Sequence, residues 1–246
     1  MPYFLSQFWS GFGAGFWPEL WSAQLIPALV PLGLTLKVAL TATAGACLLG
    51  VGAGFVLSRR GLPGRELLDA VCTLPLVLPP TVIGYYLLVL FGRRGVLGQW
   101  LQEHFGVTLI FTWQGAALAA CVVAFPLVCK AARTAFEGVD QNLEHAARSL
   151  GAGEAGVFLR VSLPLAWRGV LSGTMLALAR AMGEFGATLM IAGNLPGRTQ
   201  TLSLAIYDAA QAGRDDEAMF LVLLTSTVCI LLLLASGKFL KLNPCT

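Results

Sequence analysis

Apolar and polar positions separate into long blocks along this chain. Four windows carry no Asp, Glu, Lys or Arg: Val38 to Ser58, Ala70 to Gly92, His104 to Cys129 and Ala218 to Gly237. A bilayer core about 30 Å thick needs about 20 apolar residues per helix, so each window predicts a membrane-spanning helix. A fifth stretch, Gly169 to Leu195, is interrupted only by Arg180 and Glu184. Those two stand one helical turn apart and can pair along the helix. The pattern predicts an all-α membrane protein with five spans.

Between the third and fifth windows the periodicity changes. In Glu144 to Pro164, "EHAARSLGAGEAGVFLRVSLP", and just before it, Leu143, Ala146, Ala147 and Leu150 recur at i, i+3, i+4 and i+7. That spacing makes one apolar helical face, with Asp140 or Asn142 placed to cap it and Gly151 to end it. Glu144, His145, Arg148 and Ser149 fall on the other faces, and a second short helix starts near Glu154 and carries Val157, Phe158 and Val161 toward Pro164. Two short helices joined by a glycine turn make a compact knob. A helical loop lying on the membrane, with Arg148 and Arg160 at lipid phosphates, is the other structure this pattern allows.

Composition agrees with the membrane assignment: 57% of the 246 residues are hydrophobic and 12% charged, with mean hydropathy +0.75. Soluble domains carry roughly 25% charged residues. Lys and Arg favour the cytoplasmic side of membrane proteins. Arg59, Arg60, Arg65, Lys130, Arg133, Arg148, Arg160, Arg168, Lys238 and Lys241 follow alternate windows, against Arg93, Arg94, Arg198 and Arg214 in the other loops. With five spans the N-terminus is outside, the C-terminus is inside, and the knob is cytoplasmic.

The first 33 residues contain no Lys or Arg, so they lack the basic region of a secretory signal and are expected to be retained. Their aromatics, among them Tyr3, Trp9, Trp17 and Trp21, suit an interfacial segment, with a poor sixth span as the alternative. Residues 34–240 then form a single membrane domain, with the cytoplasmic loop at 137–165. Gly50 and Gly54 form a G-x-x-x-G pair that allows close helix approach. Pro75, Pro79 and Pro80 each remove a backbone donor from the second window, which bends that helix beside either a pore or a packing neighbour.

Several functional classes are excluded. Six cysteines lie scattered without C-x-x-C spacing, so they read as buried small hydrophobes and not as metal or redox ligands. A net charge of +3 spread beside apolar windows leaves no nucleic-acid footprint. The only histidines, His104 and His145, complete no hydrolase or metalloprotease motif. None of Lys37, Lys130, Lys238 and Lys241 completes G-x-x-x-x-G-K-[ST], so the chain does not hydrolyse ATP by itself. An ion-coupled secondary transporter is disfavoured because no inverted repeat is visible.

The knob resembles the signature of ABC importer permease subunits, E-A-A-x-x-x-G-x9-I-x-L-P. Ala146, Ala147, Gly151, Val161, Leu163 and Pro164 occupy the matching places. Two positions depart: His145 stands where the signature has Glu, with Glu144 just before it, and Val161 replaces Ile. The runs "TLPLVLPPTVIGYYLL" (Thr73 to Leu88), "FGRRG" (Phe91 to Gly95), "FEGVD" (Phe136 to Asp140) and "ARAMGEFGATLMIAGNLPGRTQTLSLAIY" (Ala179 to Tyr207) are similar to those of molybdate permease subunits. Gly183 to Gly186 is shared with sulfate permeases.

The resemblance implies an ABC importer permease fold in a prokaryotic cytoplasmic membrane, surrounded by lipid. It implies a homodimer, two separate ATPase subunits that bind ATP and Mg, and an extracytoplasmic oxyanion-binding protein. It places ATPase coupling at Leu143, Glu144, His145, Ala146, Ala147, Leu150, Gly151 and Pro164. Pro79, Pro80, Arg180 and Glu184 are the candidates for the translocation path, with no cofactor or metal held by this chain.

Overall fold

The structure is a computed structural model and describes residues 16–59 and 63–241. All regular elements among the described residues are helical: α1 (Phe16–Ser58), α2 (Arg65–Val77), α3 (Pro80–Phe91), α4 (Val96–Phe105), α5 (Trp113–Glu137), α6 (Gln141–Ser149), α7 (Glu154–Val157), a π-turn (Phe158–Ser162), α8 (Leu163–Met182), α9 (Gly186–Ala192), α10 (Leu202–Gln211) and α11 (Asp215–Lys241). Four continuous helical stretches are long and apolar enough to cross a membrane: Leu25–Ser58, Trp113–Glu137, Glu154–Met182 and Asp215–Ala235. The pair α2 and α3 brings this to five if it counts as one span.

The order of close approaches shows that it must. A Cβ placed on Gly45 would lie 3.1 Å from Cys121 Sγ, one on Gly50 2.9 Å from Val128 Cβ, and one on Gly54 2.8 Å from Ala132 Cβ. Partner numbers rise together, so α1 and α5 run parallel. The chain therefore returns across the layer between them through the stretch that holds α2, α3 and α4, of which α2 with α3 is the pair long and apolar enough to span. Against α8 the order reverses, with Gly169 meeting Ala135 and Gly173 meeting Ala131, so α5 and α8 are antiparallel. Five crossings follow.

Small residues make these crossings possible. Lipid tails are as apolar as leucine, so membrane helices gain cohesion from close van der Waals contact. The main core is accordingly rich in alanine, with Ala39, Ala42, Ala46, Ala116, Ala119, Ala120, Ala124 and Ala177 buried. The G-x-x-x-G pair Gly50 and Gly54 is used as a packing surface.

The window boundaries need correction in four places. α1 does not begin at Val38: at 43 residues it is about 65 Å long, and it passes through Lys37, whose ammonium lies 3.7 Å over the Trp113 ring. The proposed division at residues 33 and 34 therefore falls inside a helix. Of the expected N-terminal segment at residues 1–33, interfacial or a poor sixth span, residues 1–15 lie outside the described residues.

The second window is two helices bent by 108°, because Pro79 and Pro80 provide no donor for the next turn. The third span begins at Trp113 instead of His104. Gly106 at φ 64° ends α4, and Thr112 Oγ1 caps α5 by accepting from Gly115 N–H at 3.2 Å. The helical stretch holding the fifth window begins upstream at Glu154 and stops at Met182, with α9 beyond a break at 183–185.

Ion pairs fasten one end of the bundle. Arg133 Nη1 lies 2.8 Å from Asp69 Oδ1, and Arg65 pairs with Glu137, so the start of α2 is tied to the end of α5. At the opposite end Thr35 Oγ1 accepts from Leu202 N–H at 2.8 Å and donates to Pro31 O at 2.7 Å, holding α10 against α1.

Candidate functional site

The segment after α5 builds the predicted helix. Asp140 Oδ1 accepts from Asn142 N–H at 2.9 Å, which settles the cap as Asp140. At the other end Gly151 adopts φ 87°. Gly151 N–H donates to Arg148 O at 2.9 Å and Ala152 N–H to Ala147 O at 3.1 Å, the paired closure that follows from a left-handed residue after a helix.

The structure decides which face of this helix is buried. Leu143 is 48% exposed and Leu150 89%, Ala146 is exposed, and Ala147 is partly buried. The apolar stripe thus points away from the chain. Glu144 points inward, only 5% exposed, while His145 is exposed. The expected second short helix is different: α7, the π-turn and α8 are one continuous helical stretch. Pro164 lies inside that stretch, just after the π-turn, where it contributes no N–H to the helical ladder.

Glu144 is held from three directions. Arg59 Nη1 donates to Oε2 at 2.5 Å and Nη2 to Oε1 at 3.3 Å. Ser162 Oγ donates to Oε1 at 2.6 Å, and Arg148 Nη2 reaches Oε2 at 3.5 Å. Burial works against the ionised carboxyl, but the hydrogen bonds from Arg59 and Ser162 and the charges of Arg59 and Arg148 outweigh it, leaving Glu144 below the usual carboxylate value. Arg59 had registered in the sequence only as a cytoplasmic charge, and Ser162 not at all. Nothing local marks either as a partner, since Arg59 is 85 positions away.

A second arrangement lies at the far end of α8. Arg180 Nη1 is 2.7 Å from Glu184 Oε2, so the predicted pair forms. It is not contained in one helix, because α8 ends at Met182. Glu184, 3% exposed, instead caps α9 by accepting from Ala187 N–H at 2.9 Å. A Cβ on Gly186 would lie 3.1 Å from Pro80 Cβ. The two helix breaks, at Pro79–Pro80 and at 183–185, therefore meet. Such discontinuous helices at membrane depth are tolerated only inside protein or beside a cavity. The pair places opposite charges side by side at this point. About 30 Å of α8 separates this place from the knob.

The family model described as "Binding-protein-dependent transport system inner membrane component" matches residues 46–241. The chain belongs to this family. The molybdenum transport system permease protein ModB of Escherichia coli K12 is 47% identical over 211 residues, covering 85% of this chain and 92% of that protein. A putative molybdenum transport system permease, YvgM of Bacillus subtilis, is 44% identical over 82% of this chain and 89% of its own. The sulfate permease CysW of Synechococcus elongatus is 39% identical over 66% of this chain and 56% of its own length.

The MetNI methionine ABC transporter, in an inward-facing conformation, has the same fold: TM-score 0.69 over 88% of this chain and 96% of that one, at 16% identity. This member of the binding-protein-dependent permease family is thus an all-α, multi-pass membrane transport subunit with the fold of ABC importer permeases.

Proposed function

We propose that this permease is the membrane subunit of an ATP-driven importer of molybdate. The observation that carries the reading is 47% identity running over 92% of the Escherichia coli molybdenum permease. In the proposed assembly two copies line the path, and two separate ATPase subunits, which bind ATP and Mg, sit on the exposed face of α6. An extracytoplasmic binding protein delivers the oxyanion to the opposite end. The face made by Leu143, Ala146 and Leu150 supports the docking assignment, since it is apolar, exposed among the described residues and carried by an anchored helix.

Basic residues concentrate at the end of the bundle holding Arg59, Arg65, Arg133 and Arg148, which supports a cytoplasmic location for α6, an outside N-terminus and a cytoplasmic C-terminus. Alternating access would act where the helix breaks meet, with Pro79, Pro80, Arg180 and Glu184 beside the path. Selection among molybdate, tungstate and sulfate would rest largely with the binding protein, because these dianions share charge and shape.

Reconstitution with the ATPase and binding protein in vesicles tests the proposal. ATP-dependent uptake of labelled molybdate is expected, competed by tungstate and weakly by sulfate. Uptake of sulfate in preference to molybdate would replace the substrate. Uptake driven by an ion gradient without ATP would replace the mechanism.

A further inference from the structure

The helix that offers its apolar face to a partner has weak covalent connections to the spans. Gly138 precedes it, and Gly151, at φ 87°, and Gly153 follow it. Force applied to α6 through such flexible joints would be dissipated unless side chains carried it. Two side-chain links do so. Arg148 bridges the turn to Glu154, with Nε to Oε1 at 2.6 Å and Nη2 to Oε2 at 3.2 Å, locking α6 to α7. Glu144 makes the other, reaching Arg59 just beyond the end of α1 and Ser162 at the last position of the π-turn.

Both receiving groups sit at mechanical joints. The Arg59 guanidinium lies 4.5 Å over the Phe55 ring. Phe55 contacts Phe136 of α5 at 5.2 Å and Phe158 of the π-turn at 4.6 Å between ring centroids. Ser162 belongs to a turn in which Leu163 N–H reaches back to Phe158 O. Pro164 follows and offers no N–H, so the wider π spacing is preserved where α8 starts. Such π-turns within α-helices are frequent at functional sites.

We propose that Glu144 is a positioning residue that transmits ATPase movement into the membrane, its carboxylate acting as a strut from α6 to α1 through Arg59 and to α8 through Ser162. This inference rests on the proposed importer function. It also assigns the departure from the signature: Glu144 works inward as the strut, while His145, exposed beside it, belongs to the docking surface.

The test uses the full complex in lipid, with Arg59→Gln, Ser162→Ala and Arg59→Lys in the permease. Neither Arg59 nor Ser162 lies on the proposed docking face. ATPase retention is measured by co-purification and uptake per ATP hydrolysed in vesicles. A third readout is the distance between spin labels at position 94 of the two copies, with and without ATP, magnesium and vanadate. In wild type the nucleotide is expected to shift that distance. Arg59→Gln should abolish the shift and lower uptake per ATP about tenfold, Ser162→Ala about threefold, with ATPase retention unchanged and Arg59→Lys restoring much of the loss.

A normal shift and normal uptake per ATP in both Arg59→Gln and Ser162→Ala would overturn the strut, as would loss of the ATPase from both complexes. If Arg59→Gln fails to insert, Ser162→Ala decides. A wild-type complex that moves with nucleotide but carries no molybdate removes the substrate reading and leaves the strut to be judged by distance. A wild type with no nucleotide-driven shift overturns both.

Discussion

Gly54 and Gly151 are the same residue type used for opposite reasons. At Gly54 the helices α1 and α5 touch: an added Cβ would lie 2.8 Å from Ala132 Cβ, from Cys129 O and from Arg133 N. At Gly151 an added Cβ would meet nothing within 4 Å, but φ is 87°, a conformation most side chains avoid. The membrane half is therefore organised by how closely backbones approach. The cytoplasmic knob is organised by backbone conformation and by charge around Glu144. Bulk should break the first, and changes of geometry or charge the second.

The largest effect is expected from Gly54→Leu. The clash involves backbone atoms on the facing helix, which cannot rotate away, so α1 and α5 must separate. Overpacking typically costs about 1–3 kcal/mol and occasionally more, and here it falls at the upper end. Little folded protein should be recovered from membranes, as judged by detergent extraction and thermal midpoint. Normal yield with Gly54→Leu would mean that close approach does not hold the crossing together.

A smaller effect sharpens the electrostatic side. Glu144→Ala leaves Arg59 and Ser162 without their shared acceptor, and the cost should be about 1–3 kcal/mol, since Arg59 is partly exposed and solvent compensates it. Uptake should fall, whereas His145→Glu should leave it unchanged. The folded Glu144 carboxyl lies below its ordinary value, so its stabilisation is present above that ordinary value and is lost only as pH falls through the lowered one. Uptake per ATP in wild type should accordingly stay flat from neutral pH down into the ordinary carboxylate range. A loss centred near neutrality would contradict the buried ion pair.

The smallest effect on stability is expected at Gly151. A left-handed residue other than glycine costs roughly 1–2 kcal/mol, more for a β-branched side chain than for alanine. Gly151→Val should insert normally yet bind the ATPase more weakly than Gly151→Ala in pull-down. Equal, undiminished binding by both would show that the turn geometry does not present the docking face.

Much of this was legible from residue order. The five expected spans, a cap at Asp140 or Asn142, the left-handed turn at Gly151 and the Arg180–Glu184 pair all rest on local spacing or on hydropathy averaged over a span. The errors share one cause: apolar windows report composition and not backbone continuity. Gly169 to Leu195 reads as one span because it stays apolar apart from Arg180 and Glu184, yet Glu184 caps a new helix there. Pro79 and Pro80 signalled a bend, but not its size of 108°.

By itself the sequence determined the class of protein, its membrane segments, the distribution of its charges and its family, because each is a property of residue types in order along the chain. Which side of α6 is buried was decided by tertiary structure alone. Helical periodicity assigned the apolar stripe a face but could not say whether that face turns inward. A buried carboxylate costs more free energy than an exposed leucine unless it is paired, so the orientation of α6 depended on Arg59 and Ser162 arriving from other helices to hold Glu144.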